Sequence, residues 1–454
     1  MSFKNSNNLN FKFKNIAFIN YTASGGGAGK ICSTLHSSFE NSVLYNCYED
    51  ERKKGIIKID NFSFRNRFHK LVSRFHSFVL GKQISFFPKV TSFLLNYFTE
   101  PVRKLREWFG YEDFCFPGTS DPRRFFIKEP SLVHAHNLFP GFFDFRSLEL
   151  LSKKYPTLLT AHDCWLMTGH CSHFFNCNRY KSGCGDCPDL SIPPAVQKDR
   201  TKQNLNTKVK ILSNSSIYLA TPCNWLKNRF QESKVGDSFH EIRVITNGIN
   251  TGNFYPIVDK KSLRKKHHLV ENSLIFSFVG NKTKENPWKN FSLMFDTLRH
   301  FAQKFSRNVI FLCIGEKDAP IVHHPYFQCL FLGHIDETSK LNDLYNCSDF
   351  YLHLAKADTF PNTILEAQSC GIPVFANPVC GIPEQIVEGE TGWLLSNITP
   401  QSLAESIQSK IASCDYTLMS KNCRNHILKK FSEKTMLSNY QQYYKEILAK
   451  TLSK

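Results

Sequence analysis

Two runs of alternating apolar strands and amphipathic helices constrain the fold of this chain more than any other feature. The first run opens with the apolar segment KNIAFINY and the glycine-rich turn TASGGGAGK, and the second opens with SLIFSFVGN. Strands that alternate with helices form parallel sheets with helices on their faces. The sequence therefore predicts an α/β fold with two Rossmann-like domains, each built on a parallel sheet.

The length of the chain agrees with this division, since 454 residues are enough for two or three domains. We expect residues 1–238 to form an N-terminal domain with a cysteine-rich insertion at about 164–190, and residues 239–430 to form a C-terminal domain. Residues 431–454 have the pattern of an amphipathic helix with Ser432 at its N-cap. We expect this last helix to pack back on the N-terminal domain.

The composition of the chain bears on its binding partners and on its location in the cell. Lys and Arg number 57 against 39 Asp and Glu, and the formal net charge of +18 favours anionic partners. The polar N-terminal segment MSFKNSNNLNFKFKN lacks the apolar core of a secretory signal. The longest apolar runs fall far short of the roughly 20 residues that span a bilayer. We therefore expect a cytoplasmic protein, or one bound peripherally to the inner face of the cell membrane.

The turn after the first strand reads SGGGAGK at residues 24–30. It is not a P-loop, because Ser24 stands where that motif needs Gly and Ile31 stands where it needs Ser or Thr. Glycines still let the backbone approach a ligand, and the following helix N-terminus offers N–H groups to an anion. We expect Gly27 to contact a ligand here; the alternative is a plain strand-to-helix turn.

The segment ADTFPNTILEA at residues 357–367 is the most informative stretch of the chain. It follows a strand and opens a helix near Pro361, which places Glu366 close to the strand's carboxyl end, where open α/β sheets bind ligands. A carboxylate there can accept both hydroxyls of a ribose, while the helix start can hold a phosphate or sugar. The residues expected at this helix start are Phe360, Pro361, Asn362 and Thr363. The alternatives are a solvated helix carboxylate for Glu366 and a loop cap for Asp358.

This segment resembles the signature of the large retaining GT-B family of glycosyltransferases, family 4, which contains sucrose synthase and bacterial mannosyltransferases. The family's two acids are separated by seven residues, as are Asp358 and Glu366, although the first acid of the family is usually Glu. The resemblance continues in GIPE (381–384), GETG (389–392), the first glycine loop and the turn ITNGIN (245–250). It spans roughly residues 14–445.

The resemblance implies two domains that face a central cleft, with the nucleotide-sugar on the C-terminal domain and most of the acceptor site on the N-terminal domain. It implies that Asp358 positions the donor sugar and that Glu366 binds the ribose. It also places Gly27 and Asn247 at the donor. No catalytic metal and no organic cofactor are expected.

A nucleoside diphosphate leaving group needs positive charge aimed at its oxygens. The family usually supplies an Arg and a Lys in the loop after the first strand of the C-terminal domain, and this loop reads GNKTKENPWKN at residues 280–290. Lys289 matches the family Lys. The Arg is absent, so Lys282 or Lys284 is expected to replace it as a point charge.

The segment TAHDCW follows a strand of the first domain, where the family places a histidine that faces the donor sugar. His162 matches this position, and we expect Asp163 or a backbone group to fix its tautomer. The alternative is a structural histidine that caps the strand. His134 and His136 also end a strand on the same side, with a weaker case for a role.

Four cysteines follow within 17 residues, namely Cys171, Cys177, Cys184 and Cys187. The last two form a Cys-Gly-Asp-Cys half-site of the kind that binds tetrahedral zinc. We expect a structural zinc ion here, with free or redox-paired cysteines as the alternative. The insertion resembles one found in polysaccharide-assembly members of the family, and its position beside His162 implies that it shapes the acceptor side.

Basic and aromatic residues are interleaved from Arg52 to Arg106, a pattern that suits an anionic membrane surface. The acceptor of such enzymes is often a lipid-linked glycan at that surface. The alternatives are two packed helices with a solvated basic face, or nucleic-acid binding by stacking aromatics, for which no recognition motif is present.

The sequence thus predicts a retaining glycosyltransferase that moves a hexose from a UDP- or GDP-linked donor to a hydroxyl of a glycan, with a lipid-linked acceptor expected, in surface polysaccharide biosynthesis. One alternative is a nucleotide-sugar epimerase-like enzyme or a phosphorylase on the same fold; an epimerase would release a free sugar without an acceptor. Another is a zinc-stapled nucleic-acid-binding protein, which would leave the segment from Asp358 to Glu384 unexplained. No nucleic-acid partner is therefore expected.

Overall fold

The computed structural model of the chain describes residues 15–23, 25–61, 101–112, 114, 116–138, 141–281, 284, 286, 288–316, 322–396 and 399–452. They form two compact units. The first comprises the described parts of Met1–Thr221, Lys227–Arg243 and Gln441–Lys454, and the second comprises those of Pro222–Leu226 and Val244–Tyr440.

The first unit is built on a seven-stranded sheet. Its strands are β1 (Ile16–Ile19), β2 (Ser42–Asn46), β3 (Ile56–Lys58), β4 (Leu132–His136), β5 (Thr157–Thr160), β6 (Ile217–Thr221) and β7 (Phe239–Val244). They lie in the order β3-β2-β1-β4-β5-β6-β7, and the pairings from β3 to β6 are parallel. Strands β1 and β4 are buried along their whole length, as expected in a parallel sheet with both faces covered.

The helices associated with this part of the chain follow the strands in alternation. They are α1 (Gly26–Ser38), α2 (Pro101–Trp108), α3 (Pro122–Phe125), α4 (Ser147–Lys154), α5 (Thr201–Ser213) and α6 (Asn224–Gln231). Short 3-10 turns lie at Arg52–Lys54, Trp165–Met167, Arg179–Lys181 and Gly236–Ser238.

The second unit also contains a seven-stranded sheet. Its strands are β8 (Leu274–Val279), β9 (Val309–Ile314), β10 (Val322–His324), β11 (Phe327–Phe331), β12 (Phe350–His353), β13 (Val374–Ala376) and β14 (Gly392–Leu394). They lie in the order β10-β11-β9-β8-β12-β13-β14. All pairings are parallel except β10 with β11, which are antiparallel at one edge. Strand β10 is too short for the sequence pattern to predict.

The helices after α6 are α7 (Lys260–Lys266), α8 (Phe291–Lys304), α9 (Thr338–Cys347), α10 (Asn362–Ser369), α11 (Pro400–Ser413), α12 (Tyr416–Lys430) and α13 (Glu433–Leu452), with a 3-10 turn at Ile382–Gln385. The predicted N-cap of α13 is confirmed, because Oγ of Ser432 accepts a hydrogen bond from the backbone N–H of Thr435 at 3.2 Å. No helix in the described part of the chain is both long enough and apolar enough to cross a membrane.

The prediction of an α/β fold with two Rossmann-like, parallel-sheet domains is confirmed. Most of the predicted site residues follow the C-terminal ends of strands. In the first unit His162 follows β5, and in the second unit Lys289 lies between β8 and α8 while Asp358 and Glu366 follow β12. This is the sheet edge at which open α/β sheets bind ligands.

Candidate active site

Glu366 lies one turn into helix α10, in the core of the second unit. Only 4% of its surface is exposed, so the alternative of a solvated helix carboxylate is wrong. The hydroxyl of Tyr345, on α9, donates a hydrogen bond of 2.8 Å to Oε2 of Glu366 and lies 3.5 Å from the carbonyl oxygen of Thr363. Burial and the charge of Glu366 raise the pKa of Tyr345 well above its usual value, so this hydroxyl stays a hydrogen-bond donor.

Asp358 and Lys289 form an ion pair between two loops of the second unit. Nζ of Lys289 lies 2.7 Å from Oδ2 of Asp358, and the N–H of Lys356 donates to the carbonyl of Trp288 at 2.7 Å, which ties the same two loops together. Burial of Asp358 opposes its ionisation. The positive charge of Lys289 and the contact with His353 outweigh this effect and hold the pKa of the carboxyl below its usual range. Asp358 is therefore an ionised, paired carboxylate rather than a loop cap.

The start of α10 is organised by side-chain amides. Nδ2 of Asn247 donates to Oδ1 of Asn362 at 2.9 Å, and Nε2 of Gln385 donates to the carbonyl oxygen of Pro361 at 3.0 Å. Phe360 is buried, and Thr363 is half-buried at the second position of the helix. The predicted donor residues Asn247, Pro361 and Asn362 are thus brought together by the fold.

Glu384, in the second loop of this sheet edge, caps helix α6. Its Oε2 accepts from the backbone N–H of Asn224 at 2.8 Å, and its Oε1 accepts from the N–H of Trp225 at 2.7 Å. A carboxylate at a helix N-terminus satisfies the first N–H groups and meets the positive end of the helix dipole. The GIPE motif therefore has a structural use in this chain.

The glycine turn of the first unit leads directly into α1. Gly26 has a φ of +69°, in the left-handed region, and a Cβ at this position would meet nothing within 4 Å. Backbone conformation rather than space therefore requires glycine here. Gly27 follows in the first turn of α1 and is exposed, so its backbone is open to solvent.

A row of three histidines runs through the first unit. Nδ1 of His134 lies 2.7 Å from the hydroxyl of Tyr444, and its Nε2 lies 2.7 Å from Oγ1 of Thr160. Nδ1 of His136 lies 3.0 Å from Nε2 of His162. Burial lowers the pKa of His162 to about 4, and burial with mutual repulsion lowers the pKa of the other two well below the usual value. All three rings are therefore neutral near pH 7.

The side chain that contacts the His162 ring is therefore His136. Asp163, the residue expected to fix the tautomer of His162, bonds to the backbone instead. Oδ1 of Asp163 accepts from the backbone N–H of Trp165 at 2.9 Å, and burial raises the pKa of this carboxyl to about 7. His162 and Asp163 line a cavity together with Asn137, Leu138 and Trp165. The imidazole of His162 and the carboxyl group of Asp163 thus lie at the same small cavity, which apolar side chains also line.

The four predicted metal-binding cysteines lie around one cavity of the first unit, and His170 lines it with them. Nε2 of His170 is 3.4 Å from Sγ of Cys187, and its Nδ1 is 3.0 Å from the carbonyl oxygen of Pro194. A histidine whose second nitrogen is held by a carbonyl is oriented as metal-binding histidines are. The residues that share this cavity are Cys171, Cys177, Cys184 and Cys187.

The cysteines are nevertheless free thiols in the structure. Among the described residues, no group of three or more His, Cys, Asp or Glu side chains is arranged so that it could hold a metal ion. Burial raises the pKa of Cys171 to about 12 and that of Cys184 to about 11. The donor types suit zinc, and the zinc site stays a prediction.

Two predictions fall partly or wholly outside the described residues. Lys282 is one of them, and most of the basic aromatic stretch from Arg52 to Arg106 is the other. Within the described part of the neighbouring loop, Nζ of Lys284 lies 3.8 Å from the centre of the Phe331 ring, a cation–π contact. Lys284 is therefore engaged by an aromatic side chain.

Three residues contact the predicted site residues although the sequence pattern does not single them out. They are Tyr345, His353 and His170. A signal exists for two of them. His353 is the only polar residue of the strand segment FYLH besides its tyrosine, and His170 stands beside the first cysteine of the cluster. Tyr345 has no such signal, because a tyrosine on an amphipathic helix is ordinary.

Part of the second unit matches a known protein family. Residues 273–413 match the family model described as glycosyl transferases, group 1. The match runs from the start of β8 to the end of α11 and includes Lys289, Asp358 and Glu366.

Two curated proteins illustrate the similarity. The chain is 23% identical over 337 residues to the putative colanic acid biosynthesis glycosyl transferase WcaC of Escherichia coli (strain K12), covering 70% of this chain and 77% of that protein. It is 24% identical over 202 residues to the UDP-Gal:alpha-D-GlcNAc-diphosphoundecaprenol alpha-1,3-galactosyltransferase of Escherichia coli. The second alignment covers 42% of this chain and about half, 51%, of that enzyme.

Among solved structures, HepE of Anabaena in complex with UDP is similar over nearly the whole chain. The TM-score is 0.58 at 14% identity, and the match covers 95% of this chain and 100% of HepE. HepE has also been solved in complex with UDP-glucose. At this identity the likeness concerns the fold, and the predicted GT-B fold is confirmed.

Proposed function

This chain is a glycosyltransferase with the GT-B fold and a group 1 domain at residues 273–413, and we propose that it transfers a hexose, with retention, from a UDP- or GDP-linked donor to a hydroxyl of a glycan. The proposal places this reaction in surface polysaccharide biosynthesis, as the name of the relative WcaC suggests.

The proposal rests on two features of the matched domain that lie near the same edge of its sheet. One is a buried carboxylate that can accept ribose hydroxyls, and the other is an ion pair. Glu366, in helix α10, is held by Tyr345 of helix α9. Asp358 is held by Lys289, and these two residues lie on the loops that follow β12 and β8. A nucleotide-sugar offers ribose hydroxyls, a diphosphate and a hexose, which are the groups that these side chains recognise. The UDP complex of HepE, which shares the fold, supports UDP as the first donor to test.

In the proposed reaction the acceptor hydroxyl attacks the anomeric carbon from the side of the leaving group. The bond between this carbon and the phosphate oxygen breaks, and the leaving phosphate takes the acceptor's proton. Lys289 stabilises the negative charge that develops on the diphosphate. Asp358 positions the sugar, and Glu366 binds the ribose. Gly27, Asn247 and the start of α10 from Phe360 to Thr363 contact the donor, and Lys282 adds positive charge.

His162 is proposed to contact the sugar as a neutral imidazole. Burial lowers the pKa of His162, so this residue carries no proton that it could donate as a general acid near pH 7. It acts instead by hydrogen bonding, with His136 holding its ring. The reaction as proposed needs no catalytic metal and no organic cofactor.

The proposed acceptor is a lipid-linked glycan at the inner face of the cell membrane. The support is the name of the galactosyltransferase relative, whose acceptor is a diphosphoundecaprenol-linked sugar, together with the basic composition of this chain. We propose a structural zinc ion for the loop of Cys171, Cys177, Cys184 and Cys187, supported by their common cavity with His170.

The test is a transfer assay with radiolabelled UDP-glucose, UDP-galactose and GDP-mannose and with membrane lipid extract as acceptor. Label should move into the lipid fraction with release of the nucleoside diphosphate. Lys289→Met should lower the rate about 100-fold or more, because one stabilising charge at a leaving group is worth roughly that factor. Lys261→Met is the matched control in the same unit, since its exposed ammonium group pairs with Glu271 at 3.0 Å, and it should change the rate little. Free sugar released without an acceptor would instead favour the epimerase-like alternative.

A further inference from the structure

His353 ends strand β12 next to the Asp358–Lys289 ion pair, and the reaction as described makes no use of it. Its side chain is fully buried, and neither ring nitrogen has a hydrogen-bond partner among the described residues. Nε2 of His353 lies 3.6 Å from Oδ2 of Asp358, the same oxygen that Nζ of Lys289 contacts at 2.7 Å. One carboxylate oxygen therefore faces two basic groups.

Besides this carboxylate, the side chains that pack against His353 are mainly aromatic rings. The ring of Phe278 packs with its centre 5.5 Å away, and the ring of Tyr351 stacks at 6.0 Å. The ionisable groups that act on His353 in the described part of the chain are Asp358 and Lys289, with the Tyr351 hydroxyl on the same strand. A neutral imidazole here has only the Asp358 oxygen, 3.6 Å from Nε2, to face its N–H, and its Nδ1 is buried without a partner among the described residues, which costs free energy.

The two basic groups compete for the carboxylate. Burial lowers the pKa of His353, Asp358 raises it and Lys289 lowers it. With Lys289 in place, Asp358 is already neutralised, and the nearby ammonium group repels a second proton. His353 is therefore neutral while the ion pair lasts. If Lys289 leaves, a buried carboxylate stays behind without a cation, which is strongly unfavourable unless a proton enters.

We propose that His353 takes up a proton from solvent when the donor's diphosphate draws Lys289 away from Asp358. The inference rests on the proposed function, because it assigns Lys289 to the diphosphate. The proton binds Nε2, and an ion pair between His353 and Asp358 replaces the one with Lys289. His353 is thus a positioning residue that keeps Asp358 ionised and fixed while Lys289 serves the leaving group.

The sign of the resulting pH dependence follows from linkage. The donor-bound protein holds more protons than the free protein between the two pKa values of His353. Donor affinity therefore rises as pH falls through that interval, by at most about one decade per pH unit, since a single proton is involved.

The test is isothermal titration calorimetry of the wild-type chain with UDP-glucose, and with GDP-mannose if UDP-glucose does not bind. The titration is run at one pH near 7 in two buffers of different ionisation enthalpy. Intact nucleotide-sugars are used because their phosphates do not titrate near this pH. Proton uptake makes the measured enthalpy differ between the buffers, and we expect a fraction of one proton per donor bound. Equal enthalpies would overturn the proposal.

The variant His353→Gln assigns the proton. Glutamine can still hydrogen-bond Asp358 but does not titrate, so we expect donor binding without proton uptake. His267→Gln is the matched control in the same unit, where His267 lies 3.2 Å from Asp343, and it should keep the uptake. Uptake that persists in His353→Gln contradicts the proposal. If that variant does not fold, wild-type affinity measured from pH 6 to pH 8 decides: affinity independent of pH contradicts the proposal.

The calorimetric result distinguishes the role of His353 from the donor site itself. Binding without proton uptake contradicts the role of His353 and leaves the donor site intact. No binding of either nucleotide-sugar contradicts the proposed donor site, and the role of His353 with it.

Discussion

The hydroxyl of Tyr345 shows how a single buried contact prepares a binding residue. It donates to Oε2 of Glu366, and both side chains are almost completely removed from solvent. A hydrogen bond to a charged group contributes roughly 1.5–3 kcal/mol. The bond holds the Glu366 carboxylate in one orientation, which prepares it to accept hydrogen bonds from ribose hydroxyls.

Replacing Tyr345 by Phe should therefore weaken nucleotide binding. We expect the Kd for the bound nucleoside diphosphate to rise about 10-fold or more, since a factor of 10 corresponds to about 1.4 kcal/mol. Calorimetric titration measures it, and the loss should be smaller for a nucleotide that lacks the ribose hydroxyls. Tyr443→Phe is the control, because the Tyr443 hydroxyl is buried without a hydrogen-bond partner among the described residues. Equal Kd values in the two variants would contradict this role of Tyr345.

The C-terminal ends of strands β4 and β5 concentrate buried titratable groups in the first unit. His134, His136 and His162 have lowered pKa values, whereas the pKa of Asp163 is raised to about 7, in each case chiefly by burial. The histidines bind fewer protons in the folded than in the unfolded chain, so their contribution to stability is full above about pH 6.5 and is lost as pH falls towards about 4. Asp163 has the opposite sign, because its folded form keeps a proton up to about pH 7.

The variant Asp163→Asn tests this balance. Asparagine can still accept from the backbone of Trp165 but cannot ionise. We expect the variant to melt at a higher temperature than the wild type at pH 8, and to lose more stability than the wild type between pH 8 and pH 5. Thermal unfolding followed by circular dichroism measures both. Asp237→Asn, at an exposed aspartate, should behave as the wild type does. A variant whose melting temperature follows the wild type at every pH would show that Asp163 is not buried as described.

The cysteine-rich loop is the element whose stability should depend on metal. We expect the purified chain to contain about one zinc ion, and removal by a chelator to lower its melting temperature, because metal binding is coupled to folding. Cys184→Ser should lose the metal. Cys47→Ser, at a half-buried cysteine outside the loop, should keep it. Mass spectrometry measures the metal content of each variant. A wild-type chain that is purified without zinc, and whose melting temperature does not change with the chelator, would contradict the zinc site.

At the scale of the whole molecule, the sequence predicts what is local and periodic. The alternation of strands and helices, the two parallel sheets and the helix start at Asn362 all follow from patterns of a few residues. The partners of the site residues do not, because they are distant in the chain. Lys289 and Asp358 are 69 positions apart, and His136 and His162 are 26 apart. Each was predicted as a candidate on its own, and only the folded sheet edges show that they meet.

The same limit explains Tyr345 and His353. In the sequence both residues look like ordinary members of apolar, buried elements. Their polar atoms matter because Tyr345 contacts Glu366 and His353 lies beside Asp358, and these contacts are visible only in the folded structure. Burial also decides between alternatives that the sequence leaves open, as for Glu366, which is too buried to be a solvated carboxylate.

The binding of a nucleotide-sugar by the matched domain is proposed to depend on Glu366. The most direct measurement is the thermal stability of the purified chain with a panel of UDP-, GDP-, ADP- and dTDP-nucleotides and their sugars. A ligand that binds the native state raises the melting temperature by mass action. We predict a rise with the nucleotides of one base, with UDP expected first, and its loss in Glu366→Ala. No rise with any nucleotide, or an equal rise in Glu366→Ala, would contradict the account.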